Sequence, residues 1–146
     1  MRKRAFLLIV VLAFSVAAVA RKEDSLEQLK ARLTSAPPDQ QISLSLEIAQ
    51  RQLTSADKLY TEGKPEEALG ALHDVVTYSE KAGAAANETG KKLKQAEISV
   101  RKMAHKLRDI KRSVNFEDQQ PLEDAADRLE HVRSDLLTRM FGPSKK

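Results

Sequence analysis

Apolar residues recur at alternating steps of three and four along most of this 146-residue chain. The longest uninterrupted run consists of Leu93, Ala96, Val100, Met103, Leu107, Ile110 and Val114. Such a heptad seam occupies a narrow stripe of an α-helix, and it can be buried only along another helix. No window alternates with the period of two that is typical of strands. The spacing therefore predicts an all-α fold, an antiparallel up-and-down bundle of four to five helices.

Capping residues and prolines predict where the first two helices begin and end. Ser25 and Gln28 have the spacing of a capping box, which predicts a short first helix. Pro37 stops this helix because proline has no backbone N–H to donate and restricts the residue before it. After the prolines, Asp39 is predicted as the N-cap of a second helix that extends to about residue 62.

Glycines and a further proline predict the next boundaries. Gly63 supplies a left-handed residue at the end of the second helix, and Pro65 suits the first turn of the third. Gly83 lies in a segment of small residues, and we expect a break near it, with the next helix starting between residues 84 and 91. A continuous bent helix across this segment is the alternative.

The end of the chain repeats the pattern of the central seam. Pro121 follows a loop over residues 115–120 and lies in the first turn of the last helix, which Gly142 ends. The sequence thus divides into a signal peptide (1–20), a short helix with a proline linker (21–38), a helical bundle domain (39–141) and a basic tail (142–146).

The first 20 residues have the three parts of a secretory signal peptide. Residues 2–4 are basic, an apolar run follows, and residues 18–20 offer small side chains at a cleavage site before Arg21. We expect cleavage there and export to a bacterial periplasm or out of the cell. The alternative is an uncleaved segment that anchors the protein in the inner membrane, although the run is shorter than the roughly 20 residues that span a bilayer.

Composition excludes several classes of function. The chain has no cysteine, which rules out disulfides, thiolate metal sites and thiol catalysis. Residues 21–146 hold 22 basic and 21 acidic side chains, so the mature chain is nearly neutral. This balance, the expected export and the few aromatic side chains for base stacking argue against a nucleic-acid partner.

The second and third predicted helices resemble a tetratricopeptide repeat over about residues 49–76. Ala56, Leu59, Tyr60, Gly63 and Ala68 match the family's order of a small residue, a bulky pair, a turn glycine and a close-contact alanine. No second copy follows 34 residues later, whereas stable arrays need about three repeats. The resemblance implies one repeat-like helical hairpin and a role in protein contact, without ligand residues.

No arrangement of residues indicates catalysis or a cofactor. His73, His105 and His131 lie on three different predicted helices, and the chain has neither a His-Glu-x-x-His motif nor a Gly-x-Ser-x-Gly elbow. We therefore expect a non-enzymatic protein without cofactor or metal. Asp124, Asp127 and His131 share one helix face, and the alternative is a metal- or ligand-binding bundle that uses them.

Charge is segregated along the chain. Residues 91–112 hold nine basic and two acidic side chains, whereas residues 39–80 hold three basic and eight acidic ones. The basic residues predicted to lie opposite the central seam are Lys91, Lys94, Arg101, Lys102, Arg108 and Arg112. Solvated faces, which also select neighbouring helices, would explain the same segregation.

Taken together, these patterns predict an exported protein that acts by contact. We expect the basic stripe to be a docking face for a protein partner or for an anionic surface of the cell envelope. A membrane would be contacted through the signal segment only if that segment is uncleaved. The alternative is a self-associating, coiled-coil-like structural protein, because heptads pair between chains as readily as within one.

Overall fold

The computed structural model describes residues 24–143, and the predicted signal peptide lies outside this range, as do the last three residues of the predicted tail. The five α-helices of the described range are α1 (Leu26–Ser35), α2 (Pro38–Thr61), α3 (Pro65–Thr89), α4 (Leu93–Ser113) and α5 (Gln119–Phe141), with a single 3₁₀ turn at Phe116–Asp118. The range contains no strand, so the prediction of an all-α protein is confirmed. Within it, no helix has both the length and the apolar character needed to cross a membrane.

Local signals set the start of α1 as expected. The Ser25 hydroxyl accepts a hydrogen bond from the Gln28 N–H at 3.2 Å, and the Gln28 side chain accepts one from the Ser25 N–H at 2.8 Å. This reciprocal pair is the predicted capping box, and it satisfies two amides that the first turn leaves without partners. The helix ends at Ser35, just before the two prolines.

The start of α2 differs from the sequence prediction by one residue. Pro37 is the N-cap and Pro38 is the first helical residue, so the prediction of Asp39 as the N-cap is wrong. The physical reason is that proline at the first helical position loses no hydrogen bond and already has a helical φ. Asp39 lies inside the first turn, where its negative charge favours the helix N-terminus.

The expected break near Gly83 is also wrong, because α3 continues to Thr89 and ends at Gly90, whose φ is +70°. Gly83 is buried where α3 approaches α5 closely. A Cβ atom built on it would lie 2.5 Å from Cγ1 of Val132. The glycine therefore permits a close helix–helix contact, and packing outweighs the cost of about 1 kcal/mol that glycine imposes on a helix.

The apolar seams of α2, α3, α4 and α5 face one another and form the main core. Its buried members include Ile42, Leu46, Ala49, Leu53 and Ala56 of α2, Leu72 and Val75 of α3, Val100, Met103, Leu107 and Ile110 of α4, and Leu122, Leu129, Val132 and Leu136 of α5. The most extensive contacts join α2 to α3, α4 to α5 and α3 to α5. The apolar seams found in the sequence are therefore buried against one another within the chain.

The short helix α1 packs on the outside of α2 and forms a second, smaller core. Leu29 is buried there against Leu44 and Ile48, apart from the main cluster. Lys30 Nζ also forms a 3.0 Å ion pair with Asp74 of α3, and Gln52 of α2 donates to the same carboxylate at 2.7 Å. Asp74 thus ties three helices together.

Candidate docking surface

Burial of the α4 seam determines which basic residues face outward. Seam residues occupy one side of the helix, and the residues between them recur on the opposite side. Five of the six predicted docking residues are exposed, namely Lys91, Lys94, Arg101, Lys102 and Arg112. Arg108 is only half-buried, with a side chain 36% exposed.

A direct ion pair with α5 distinguishes Arg108 from the other predicted residues. Its guanidinium lies 3.2 Å from the Glu130 carboxylate of α5. Glu130 also pairs with Arg133, which in turn donates to Glu97 of α4 at 3.0 Å. The hydrogen bond to Glu97 raises the pKa of Arg133, against the opposing effect of burial. Arg108 therefore belongs to a charged network that joins α4 to α5.

The remaining five residues form a surface, and we call Lys91, Lys94, Arg101, Lys102 and Arg112 the α4 basic face. Within residues 24–143, no carboxylate pairs with any of its three lysines. Its two arginines pair within α4, Arg101 with Glu97 at 3.2 Å and Arg112 with Asp109 at 3.1 Å. The Arg112–Asp109 pair is exposed and contributes little, so the Arg112 guanidinium can exchange partners. Glu97, by contrast, is buried, and its carboxylate pairs with Arg133 of α5 as well as with Arg101.

Two residues beside the α4 basic face were not predicted as part of it. His105 has a side chain 73% exposed, and its Nε2 lies 3.6 Å from an oxygen of Asp109. Lys92 has a left-handed φ of +53° and donates from Nζ to the Ser43 hydroxyl at 2.6 Å. The spacing of His105, four residues after Arg101, could have indicated its position, whereas nothing in the sequence indicates the Lys92 contact.

The proposed metal-binding residues are not brought together as a site. Asp124, Asp127 and His131 are all exposed on α5, and Asp124 accepts a hydrogen bond from Gln120 at 2.8 Å. In the part of the chain that the structure describes, no three His, Asp or Glu side chains form a group that could hold a metal ion. The geometry gives the metal hypothesis no support.

A cleft of about 540 Å³ lies where α1 meets α2 and α3. Two of its lysines approach the Tyr78 ring, with Lys30 Nζ at 5.6 Å and Lys81 Nζ at 5.1 Å from the ring centroid. These distances fit cation–π contacts. Because Lys30 comes from α1 and Tyr78 from α3, the contact between them helps to hold α1 in place.

The predicted repeat-like segment forms a helical hairpin of α2 and α3. Ala56 and Ala68 are fully buried, and Gly63 has a φ of +73° in the turn between the helices. Comparison with family models, with curated proteins and with solved structures finds no match to this chain. The resemblance to a tetratricopeptide repeat therefore stays a prediction.

Proposed function

We propose that the protein is an exported, non-enzymatic helical protein that acts by contact with an acidic protein or with an anionic surface of the cell envelope. The α4 basic face is its docking surface. The single observation that supports this proposal most is the set of three exposed lysines, Lys91, Lys94 and Lys102, with no carboxylate partner within the described range. From residue 91 to residue 112 the face is about 30 Å long.

Some basic residues of α4 form ion pairs with other helices and some do not, and this difference favours an external partner over simple solvation. Lys106 pairs with Asp57 of α2 at 2.7 Å, Arg108 pairs with Glu130, and Lys111 pairs with Glu123 of α5. These three residues pair with neighbouring helices. Lys91, Lys94 and Lys102 of the α4 basic face have no such pair within the described range, so their charge is available to something outside the chain.

An antiparallel up-and-down bundle of α2 to α5 is the architecture that we propose for presenting this face. Residue numbers rise along α4 as they fall along α5 in the pairs Glu97–Arg133, Arg108–Glu130 and Lys111–Glu123. The short link between α2 and α3 supports the same alternation at the other hairpin. A rigid bundle would hold the charged groups at fixed spacing.

The docking proposal is tested by reversing charge on the α4 basic face. The variant Lys94→Glu, Arg101→Glu and Lys102→Glu is compared with the parent protein for binding to phosphatidylglycerol vesicles and to poly-glutamate, which stand for the two kinds of target. We expect parent binding to at least one of the two probes, to weaken with salt, and to fall by about tenfold or more in the variant.

A matched control carries the same change in net charge elsewhere. Lys58, Lys64 and Lys81 lie on α2, on the turn and on α3, outside the α4 basic face, and their reversal to Glu should change binding by less than about twofold. Circular dichroism checks that both variants remain helical. Equal loss of binding in both variants, or no binding by the parent protein, contradicts the proposal.

Export is tested separately from docking. The mass of the protein expressed in a bacterial host, with fractionation of the cells, decides between a chain that begins at Arg21 in the periplasm and a full-length chain in the membrane. We expect the shorter chain. A full-length membrane-bound chain would favour the alternative of an inner-membrane anchor.

A further inference from the structure

The cleft of about 540 Å³ where α1 meets α2 and α3 has the size of a small-molecule site. Such sites combine an apolar lining with a few placed polar groups. Here the apolar part comes from Leu33 of α1 and from Tyr78, Ala84 and Ala85 of α3. The polar and charged part consists of Lys30, Thr34, Gln41, Ser45, Lys81 and Glu88.

Ser45 lines this cleft and has a hydroxyl without a partner. Only 2% of the residue is exposed, and the hydroxyl forms no hydrogen bond with any other residue of the range 24–143. It differs from the Ser79 hydroxyl, which is sealed inside the core. A largely buried hydroxyl costs free energy unless water or a ligand satisfies it, so Ser45 offers a ligand both a donor and an acceptor.

Two further side chains of the cleft present hydrogen-bond acceptors. Gln41 donates from Nε2 to the Ala36 carbonyl at 2.8 Å, which fixes its amide and leaves Oε1 without a donor among the described residues. Thr34 donates to the Lys30 carbonyl at 3.2 Å, so its oxygen keeps its lone pairs for another donor. Gln41 lies one turn before Ser45 on the same side of α2. The cleft therefore accepts hydrogen bonds at several points along its length.

The two lysines of the cleft differ in whether their charge is already paired. Lys30 forms its ion pair with Asp74 at 3.0 Å, and Glu27 of the same helix adds a second negative charge near it. Lys81 is exposed and pairs with no carboxylate of the described range. Its Nζ lies 5.1 Å from the centroid of the Tyr78 ring. Lys81 is therefore the cation that remains available at this end of the cleft.

Glu88 supplies an unpaired negative charge at the other end of the cleft. No cation pairs with its carboxylate within the described range, and neither Lys91 nor Lys92, which follow it in the chain, lines the cleft. Lys92 donates to Ser43 instead. Glu88 follows Lys81 by seven residues on α3, so the two lie on one side of the helix, about 10 Å apart along its axis. The cleft therefore offers an ammonium and a carboxylate at this separation.

From these groups we infer that the cleft binds a short zwitterionic peptide of about three residues, with its C-terminal carboxylate at Lys81 and its N-terminal ammonium at Glu88. An extended chain advances about 3.3–3.6 Å per residue, so three residues span the distance between the two charges. The amide N–H groups of the peptide donate to the free oxygens of Ser45, Gln41 and Thr34. A purely anionic ligand would meet the Glu88 carboxylate, and a purely cationic one would meet the Lys81 ammonium. The cleft is separate from the α4 basic face, so the inference does not rest on the docking proposal.

Trialanine is the probe for this site, because it has two charged ends, a backbone and only methyl side chains. We expect a dissociation constant on the order of 0.1–1 mM, since a ligand of this size gains little from contacts that are partly exposed to solvent. A titration followed by the NMR signals of the Ala84 and Ala85 amides measures the constant and locates the bound peptide. Dialanine, about 7 Å long, reaches only one of the two charges and should bind several-fold more weakly.

Blocking one end of the peptide at a time identifies the side chain that receives it. Lys81→Gln and amidation of the peptide carboxylate should each weaken binding by about threefold to fivefold, and the two together should cause little further loss. Glu88→Gln and acetylation of the peptide ammonium should behave as a second pair of this kind. Ser45→Ala should weaken binding by about threefold without lowering the midpoint of thermal unfolding, because the hydroxyl has no hydrogen bond within the chain to lose.

Matched controls separate the cleft from the rest of the surface. Lys64→Gln with Glu67→Gln removes one charge of each sign at the opposite end of α3 and should leave trialanine binding within about twofold of the parent protein. The docking control that reverses Lys81 should lose trialanine binding and keep vesicle binding, so the two proposals fail independently. Unchanged amide signals at trialanine concentrations well above the expected constant, equal binding of a peptide blocked at both ends, or binding of a neutral trisaccharide in place of trialanine would each overturn the inference.

Discussion

At the scale of single residues, Gly83 shows how a helix position can be selected by its neighbour. In the alanine variant the new methyl group overlaps Val132 across the α3–α5 contact, which costs about 1–3 kcal/mol. The gain in helix propensity offsets about 1 kcal/mol of this, so the free energy of unfolding should fall by up to about 2 kcal/mol. Urea denaturation measures the change.

The same helix offers a matched control for that substitution. Gly70 also lies within α3, and a Cβ atom built on it has no neighbour within 4 Å. Gly70→Ala should therefore raise the free energy of unfolding by up to about 1 kcal/mol. If Gly83→Ala and Gly70→Ala were equally stabilising, the close contact at Gly83 would be refuted.

Ser79 is a second residue whose replacement should change the stability of the protein in a definite direction. Its side chain is fully buried in α3, and within the described residues its hydroxyl has no hydrogen-bond partner. A buried hydroxyl without a partner costs about 1–3 kcal/mol, and alanine is also the better helix former. Ser79→Ala should raise the midpoint of thermal unfolding, and a lower midpoint would reveal a partner that the hydroxyl requires.

At the scale of helices, the attachment of α1 depends on the ionisation of Asp74. Burial acts to raise the pKa of Asp74, but the hydrogen bonds from Gln52 and Lys30 prevail and lower it. The hydrogen bond between Lys30 and Asp74 also raises the pKa of Lys30. The contribution of Asp74 to stability is therefore present above its unfolded-state pKa of about 4 and is lost as the pH falls through the lower folded-state value.

This linkage predicts that α1 loosens in acid. Hydrogen exchange of the α1 amides should accelerate relative to that of α4 as the pH falls below about 4, after correction for the intrinsic rate. At neutral pH, Asp74→Asn should already show the faster α1 exchange, with little further change in acid. Exchange of α1 that follows the pH identically in the parent protein and in Asp74→Asn would contradict the assignment.

Some helix boundaries are determined by neighbouring residues and could be predicted, whereas others depend on distant contacts. The capping box at Ser25 and the first-turn position of Pro65 follow from neighbouring residues, and both are present in the structure. The continuity of α3 through Gly83 depends on Val132, almost 50 positions away in the chain. A sequence pattern contains no information about such a contact, which explains why the expected break was wrong.

The same distinction applies to the docking residues. Periodicity correctly places Lys94 and Lys102 on the outward side of α4 because burial of the seam fixes the rotation of the helix. It cannot detect that Arg108 pairs with Glu130, since that contact depends on how α5 lies against α4. Exposure was therefore predictable for most of the face, and the cross-helix pairing was not.

At the scale of the whole molecule, salt should affect binding to an anionic target far more than it affects the stability of the fold. Most of the ion pairs join partly or fully exposed side chains, and such pairs contribute little to folding. Raising the salt from about 0.05 to 0.5 M should change the free energy of unfolding by less than about 1 kcal/mol, while binding to an anionic target falls steeply. Parallel urea and binding titrations check this, and a large loss of stability would show that charge holds the fold together.

The close approach of α3 to α5 at Gly83 and Val132 also restricts how the sequence can diverge. The two positions share one small volume, so a larger side chain at position 83 can be accommodated only if position 132 becomes smaller. In an alignment of homologues that keep this fold, these two columns should therefore vary together, with glycine opposite a branched residue or alanine opposite a smaller one.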